Sequence, residues 1–476
     1  MGLLALRTPA QQSQLEPIWP VAIERAAAEA GIPLSAISVV VKGSRGETLL
    51  ALNEGLPRKT GSVMKLLTTF VALQQLGPQF RFHTDFLADP NPRHPGQWSV
   101  ALRGGGDSGF QYSDLLELLK QAQSQGVHAV KESIVVDRRR FMQENQLNSG
   151  IDVAPDSLSG IAPDALSIGY SAVEVRLPEN HQGRIEVDPP FQVVSSSSLN
   201  RLKRTPCQKD WDEGLHLIPQ EGQQEKLNLI GNWPSHCPEA VLHRAPLSPR
   251  KQLAWSMRLA MKQLGLSNQS EVSEGPAPSY AKVSIRYPSR PLERMVRDIN
   301  KYSNNVAART LLMNLAAENG VLPARAEDGA QVIQKWLKSR NLEFPELVIE
   351  NGSGLSHKEV MSAGHLAGFL MTISKEEIFS SFLDSLPIPG EMGTLQKRFL
   401  VRADRLQWHL KTGRLDGVRT LAGFHVGVNG ELTTVVCMVE HTNTDRVQIL
   451  QEAILNWVQL KEIDTNTSPQ RQTYLP

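Results

Sequence analysis

A serine hydroxyl attacks a carbonyl only when a neighbouring base takes its proton, so a serine followed one helical turn later by a lysine is a pair with chemical meaning. Ser62-Val63-Met64-Lys65 is such a pair, because residues three apart on a helix share a face. A protonated amine is no base, so Lys65 needs burial or a second cation nearby to depress its pKa, and Lys411 is the candidate cation. Ser303-Asn304-Asn305 offers a hydroxyl that can relay a proton to a leaving amine, and a carboxamide that can hold both Lys65 and a substrate amide. Lys411-Thr412-Gly413 offers a cation and a hydroxyl for a terminal carboxylate, with a glycine against which a substrate backbone can lie. The backbone N–H groups of Ser62 and Arg414 would form the oxyanion hole.

Singly, each triplet is uninformative. Ser248/Lys251 and Ser279/Lys282 repeat the first spacing, Ser198/Asn200 the second and Lys59-Thr60-Gly61 the third. Context removes them: Ser248 precedes Pro249 as a helix start, Ser279 lies among prolines, and Lys59–Gly61 abuts the serine it would have to face. The weight rests on the ordered triple.

The surrounding pattern places these residues. Ser62 stands at the mouth of an apolar helical stretch ended by Gly77-Pro78, which it can cap. Before it come a helical pattern from Leu15 to Gly31 and two β-rich runs, AISVVVKG and ETLLALN. From about Phe80 to His243 the texture changes to short strands, QWSVALRG, ESIVVD and SAVEVRLP, between Gly, Pro and Ser clusters; SSSSLN at 195–200 reads as an exposed loop. Helical patterns return over 248–265, 289–320 and 326–340. The end reads as LQWHLKTG, TLAGFHVGV, an Asn429-Gly430 turn, ELTTVVCMVEH and a closing amphipathic helix. The expected class is α+β. An antiparallel sheet from both chain ends, with helices, spans 15–85 and 245–463, interrupted by a β-rich insertion over 86–244 of one or two subdomains. Residues 1–14 read as a tail and 464–476 as disordered.

A length of 476 residues implies two to three domains, and 40% hydrophobic with 21% charged residues is ordinary globular usage. With 50 Lys and Arg against 49 Asp and Glu the net charge is +1, which excludes a broad field for nucleic acid. No apolar run reaches the roughly 18 residues of a membrane span. The start, MGLLALRTPAQQ, shows no export signal, so the reading is either a chain lacking a removed leader or a cytoplasmic one. Cys207 and Cys237 can bridge in an oxidising compartment or remain apart; Cys207, His236, Cys237 and His243 match no common zinc spacing. Neither a metal nor a cofactor is expected.

At the three triplets the chain resembles the penicillin-binding-protein-4-type D-Ala-D-Ala carboxypeptidase/endopeptidases, peptidase family S13. The likeness extends to LRGGGDSGFQYSDLLELLKQAQSQGV, ESIVVDRRRF, ALSIGYSAVEVRLP, NGSGLS at 351–356 and LKTGRLDGVRTLAGF, in order from about Leu15 to about Leu460. It implies a β-lactamase-like transpeptidase domain split by a large insertion, peptidoglycan stem peptides as substrates, acylation of Ser62 by β-lactams, and an extracytoplasmic site of action. Two positions depart: Arg414 stands where the family has a small Ser or Thr, and Asn351 where it has Asp.

Three rival readings compete. Gly104-x-Gly106-x-x-Gly109 between a strand and a helix, with Asp137 ending the next strand, imitates a dinucleotide-binding turn, although Asp107 would place a carboxylate at the pyrophosphate. Glu144-Asn145-Gln146-Leu147-Asn148 imitates the deacylating loop of a β-lactamase, on the wrong side of Ser303. A non-catalytic wall-binding protein is the third.

Overall fold

The computed structural model describes residues 20–143, 156–178, 184–206, 211–237, 240–266 and 271–467. After α1 (Val21–Ala30) come β1 (Ile37–Lys42), β2 (Thr48–Leu52) and β3 (Pro57–Lys59), and a 3-10 turn over Gly61–Met64 feeds α2 (Lys65–Leu76). Next are β4 (His83–Pro90), β5 (Trp98–Arg103), α3 (Tyr112–Ser124) and β6 (Val130–Asp137). The middle holds β7 (Val173–Arg176), β8 (Glu186–Asp188), β9 (Gln192–Pro206), β10 (Leu215–Pro219), β11 (Lys226–His236) and β12 (Val241–Arg244). There follow α4 (Pro249–Gln263), β13 (Glu271–Glu274), β14 (Val283–Pro288), α5 (Leu292–Tyr302), α6 (Asn305–Glu318) and α7 (Ala326–Ser339). The chain closes with β15 (Val360–Ser362), α8 (Ala363–Ile373), α9 (Phe379–Ser385), β16 (Trp408–Leu415), β17 (Val418–Val426), β18 (Leu432–Glu440) and α10 (Val447–Thr467).

The two chain ends build one antiparallel sheet, in the order β16-β17-β18-β1-β2. Its strands are apolar at nearly every position because both faces are covered. Val39, Val41, Val435, Cys437 and Val439 share a core with Ile23 of α1 and Leu450 and Ile454 of α10. The alternate residues Val40, Ala422, Phe424, Val436 and Met438 face a second core supplied by α2 and α5 to α8. The α+β expectation holds. Helix α2 lies in that second core with Lys65 through Leu73 all buried, so its lysine has little access to water.

A second sheet, β13-β6-β5-β4-β14, carries α3 and α4, whose Leu115, Leu118, Leu253 and Met257 share a core with Val100, Leu102 and Ile134. Residues 249–288 therefore pack with 83–137, not with the terminal sheet to which the sequence reading assigned everything from 245 onward. An amphipathic helix shows which of its faces is apolar, not which sheet will cover it. Two small sheets, β10-β11-β9 and β12-β7-β8, share a further core around Val175, Leu215, Leu229 and Trp233.

Other differences are local. Ser195–Asn200 is part of strand β9, paired in parallel with β11, and not a loop. The helical pattern over 289–320 breaks at Ser303, whose φ of 58° is left-handed, and Asn304 caps the new helix by accepting from Ala307 N at 3.0 Å. Helix α10 continues to Thr467, past the expected start of the tail; 468–476, the N-terminal stretch to 19 and the Glu144–Asn148 motif lie outside the described residues. Cys237 is disulfide-bonded and Cys437 is free and buried, while Cys207 lies outside the described residues.

Candidate active site

Ser62 lies inside the 3-10 turn, between α2 and the edge strand β16, and it does not cap α2. Its Oγ stands 2.9 Å from Lys65 Nζ instead. The same nitrogen donates to Asn305 Oδ1 at 2.6 Å and to the carbonyl of Ser353. The second serine is reached from the other side: Lys411 Nζ donates to Ser303 Oγ at 3.0 Å and to Thr412 O at 2.8 Å. Residues more than 300 positions apart thus converge on one place because α2, the α5–α6 break and β16 meet there.

Backbone contacts are just as close. Edge strand β16 lies against the 3-10 turn, and a Cβ built on Gly413 would fall 2.1 Å from Thr420 Oγ1 and 2.8 Å from Ser62 N. Only glycine lets the strand approach so nearly. The position a Gly61 Cβ would occupy is 3.3 Å from Arg414 N, so the two backbone nitrogens expected to form the oxyanion hole lie close together. The Arg414 side chain is exposed, which leaves its N–H usable whatever the side chain.

Burial sets the electrostatics. Lys65 is fully buried, and desolvation, followed by the Lys411 cation, pushes its pKa well below 10.5, with Glu359 pulling the other way. Lys411, equally buried, is brought down to about 7 by desolvation. Glu359 is a buried carboxylate on which four backbone N–H groups converge, from Glu350 at 3.1 Å, Asn351 at 2.9 Å, Gly352 at 2.7 Å and Gly354 at 2.6 Å. Burial raises its pKa and these bonds oppose the rise. Together they shape the 351–356 loop that presents the Ser353 carbonyl to Lys65. Asn351 Oδ1 accepts from Ser353 N at 2.9 Å and Ser353 Oγ at 2.6 Å; one oxygen does this, so a carboxamide serves in place of a carboxylate.

The decoys fall elsewhere. Ser248 Oγ caps α4 by accepting from Lys251 N at 3.3 Å, and Lys59 lies in β3, paired with Val360. Gly104 to Gly109 does connect β5 to α3 and the parallel β6, yet it is filled by protein: Cβ atoms on Gly104, Gly105 and Gly106 would strike Ala165 O, His83 O and Asn314 Oδ1 within 2.4 Å. Buried Asp107 accepts from Gly109 N at 2.9 Å inside the loop. The side of the loop toward which those Cβ atoms would point is taken by protein, and the buried Asp107 carboxylate opposes a pyrophosphate there. His243 bonds Glu174 at 3.3 Å, while Cys207 and the His236 side chain lie outside the described residues.

A family model described as D-Ala-D-Ala carboxypeptidase 3 (S13) matches residues 21–460. The chain belongs to that family. It is a serine-type D-Ala-D-Ala carboxypeptidase, a hydrolase of the penicillin-binding group. A D-alanyl-D-alanine carboxypeptidase from an Actinomadura species is 24% identical over 467 residues, 91% of this chain and 82% of that protein. The carboxypeptidase DacB of Haemophilus influenzae is 22% identical over 395 residues, 81% of each chain. Penicillin-binding protein 4 from Haemophilus influenzae superposes with a TM-score of 0.73 at 19% identity, covering 92% of this chain and 99% of that one. A predatory peptidoglycan endopeptidase from Bdellovibrio bacteriovorus gives 0.52 at 15% identity, covering 92% and 94%.

Sequence reasoning missed the support of the site. Glu359 and the Ser353 carbonyl escape it, as do Thr420, which donates to Thr60 O at 2.8 Å, and Thr394, whose Oγ1 accepts from Thr412 Oγ1 at 3.0 Å. The one available signal was the Gly352-x-Gly354 pair five residues before an isolated acid.

Proposed function

We propose that Ser62 is the nucleophile, Lys65 its base, and that the substrate is the D-Ala-D-Ala end of a peptidoglycan stem peptide. The observation that carries this is the set of partners around Lys65 Nζ: two carbonyl oxygens, of Asn305 and Ser353, and one hydroxyl, of Ser62. A neutral amine has two N–H donors and one lone pair. The carbonyls occupy the donors, and the lone pair is left facing the Ser62 proton.

In the reaction Lys65 takes that proton as Ser62 Oγ bonds to the carbonyl carbon of the penultimate D-Ala. The displaced electron pair resides on the carbonyl oxygen, held by the N–H groups of Ser62 and Arg414. Collapse of this intermediate breaks the C–N bond, and the proton passes through Ser303 to the departing amine. An ester on Ser62 remains, which water hydrolyses to restore the hydroxyl. Lys411 and Thr412 receive the terminal carboxylate, Gly413 lets the peptide lie along β16, and Asn305 also holds the substrate amide. Cleaving a cross-link differs only in the amine that leaves, and the exposed Arg414 beside the site bears on which amine is preferred.

β-Lactams acylate the same serine; a solved structure of Haemophilus influenzae penicillin-binding protein 4, with a TM-score of 0.67, holds a β-lactam. The disulfide at Cys237 supports an oxidising, extracytoplasmic location, periplasmic in a cell with two membranes. In domain terms, residues before about 77 and after about 291 form the catalytic unit and the rest forms the insertion. The test is release of free D-alanine from a stem pentapeptide. Ser62→Ala should abolish it, and release that persists in that variant would end the proposal.

A further inference from the structure

At one end of the second sheet a cavity of about 950 Å³ opens between the inserted unit and the catalytic helices. Its floor is the carboxyl end of the parallel strands β5 and β6, and Phe80, Glu318 and Leu322 close its far side. Ligand sites concentrate outside the carboxyl ends of parallel strands and in clefts between units. None of the groups around Ser62 lines this cavity, so it is a separate place on the molecule.

Its walls are charged unevenly. Six guanidiniums face it, those of Arg81, Arg103, Arg138, Arg139, Arg140 and Arg286, against the four carboxylates of Asp85, Asp137, Glu274 and Glu318, an excess of two positive charges. Most of the arginines are paired: Arg139 grips Asp137 through Nε at 3.0 Å and Nη2 at 2.9 Å, Arg286 Nε meets Asp85 at 3.0 Å, and Arg140 meets Glu318. Arg138 differs. It is only 6% exposed and its Nη1 lies 2.9 Å from Asp164, yet its Nε and Nη2 have no hydrogen-bond partner among the described residues. Those two N–H groups are enclosed, so Arg138 adds positive charge beneath the wall rather than a contact surface.

We infer that this cavity binds a peptide bearing at least two carboxylates, the acidic stem peptide of a second peptidoglycan strand, held apart from the strand being cut. The inference rests on the peptidoglycan reading above. The carboxylates meet the exposed guanidiniums of Arg139 and Arg286. Phe80, Leu322 and Pro323 give the aliphatic parts of the peptide an apolar surface.

The experiment uses protein first acylated with penicillin, which closes Ser62 and reports an intact catalytic fold. A disaccharide-tripeptide muropeptide, which lacks D-Ala-D-Ala, is then titrated in by calorimetry. Saturable binding is expected, weakened at least about tenfold in R139Q/R286Q and comparably by amidating the muropeptide carboxylates, with the acylation rate unchanged. R139K/R286K should retain most of the affinity, and orthophosphate should not compete. The inference is overturned by absent saturable binding, by binding that neither the glutamine variant nor amidation weakens, or by displacement with orthophosphate. Failure of penicillin to acylate would count against the Ser62 reading alone; the same titration on unmodified protein would still decide the cavity.

Discussion

Replacing Asn305 by Asp changes almost no volume but sets a carboxylate where a carboxamide oxygen now stands 2.6 Å from Lys65 Nζ. An adjacent opposite charge stabilises the ammonium, and a partner this close raises an amine pKa by about 2 units, the middle of the usual range. At 1.36 kcal/mol per unit that is about 2.7 kcal/mol, which makes neutral Lys65 up to about 100-fold scarcer, the full factor applying where the pH lies below both pKa values. Acylation needs the neutral amine, so labelling by a fluorescent penicillin should slow by up to about 100-fold on the acidic side and recover as the pH is raised. Asn305→Ala is the contrast. It leaves a buried N–H unpaired, which costs about 1–3 kcal/mol, and should slow labelling without moving the acidic limb upward. The assay is the second-order labelling rate measured from about pH 5.5 to about pH 10. An Asn305→Asp profile that overlays the parent, or that is depressed equally at every pH, would refute Lys65 as the base.

Two further outcomes follow from burial and close packing. Folded Lys411 gives up its proton near pH 7, against 10.5 for a free lysine, so between those values the unfolded chain binds more protons and this group adds stability as pH rises. The melting-temperature advantage of Lys411→Met over the parent, read by calorimetry, should therefore be largest at pH 7 and shrink toward pH 10; a difference independent of pH would contradict the depressed pKa. At Gly354, φ is +79° and a Cβ would sit 1.8 Å from Gly61 O. Gly354→Ala should cost at least about 3 kcal/mol in denaturant titration and lose penicillin labelling; unchanged values in both would show that the loop does not position the serine turn.

What the sequence disclosed, and what it hid, follows from how each feature is encoded. That Ser62, Lys65, Ser303, Asn305 and Lys411 would converge could be anticipated because the chemistry proposed for them depends on side-chain type at fixed local spacing. The terminal sheet was legible because Val39 to Val41 and Val435 to Val439 are apolar on both faces. Hidden were features decided by backbone and distant contact. Ser303 interrupts a helical pattern through a left-handed φ that serine seldom adopts, and nothing in its neighbours announces the break. The Ser353 carbonyl is invisible because every residue has one, and Glu359 because an acid that collects backbone N–H groups looks like any surface acid until it is found buried. Ser195–Ser198 read as loop because four consecutive serines show no apolar alternation, whereas they lie within a strand set by the pairing of β9 with β11.

The most direct test of the account is where penicillin attaches. After brief exposure, peptide mass mapping should locate one penicilloyl adduct on the peptide carrying Ser62, and Lys65→Ala should carry little adduct over the same time. An adduct on Ser303, Ser248 or Ser279, or full labelling in the Lys65 variant, would contradict it.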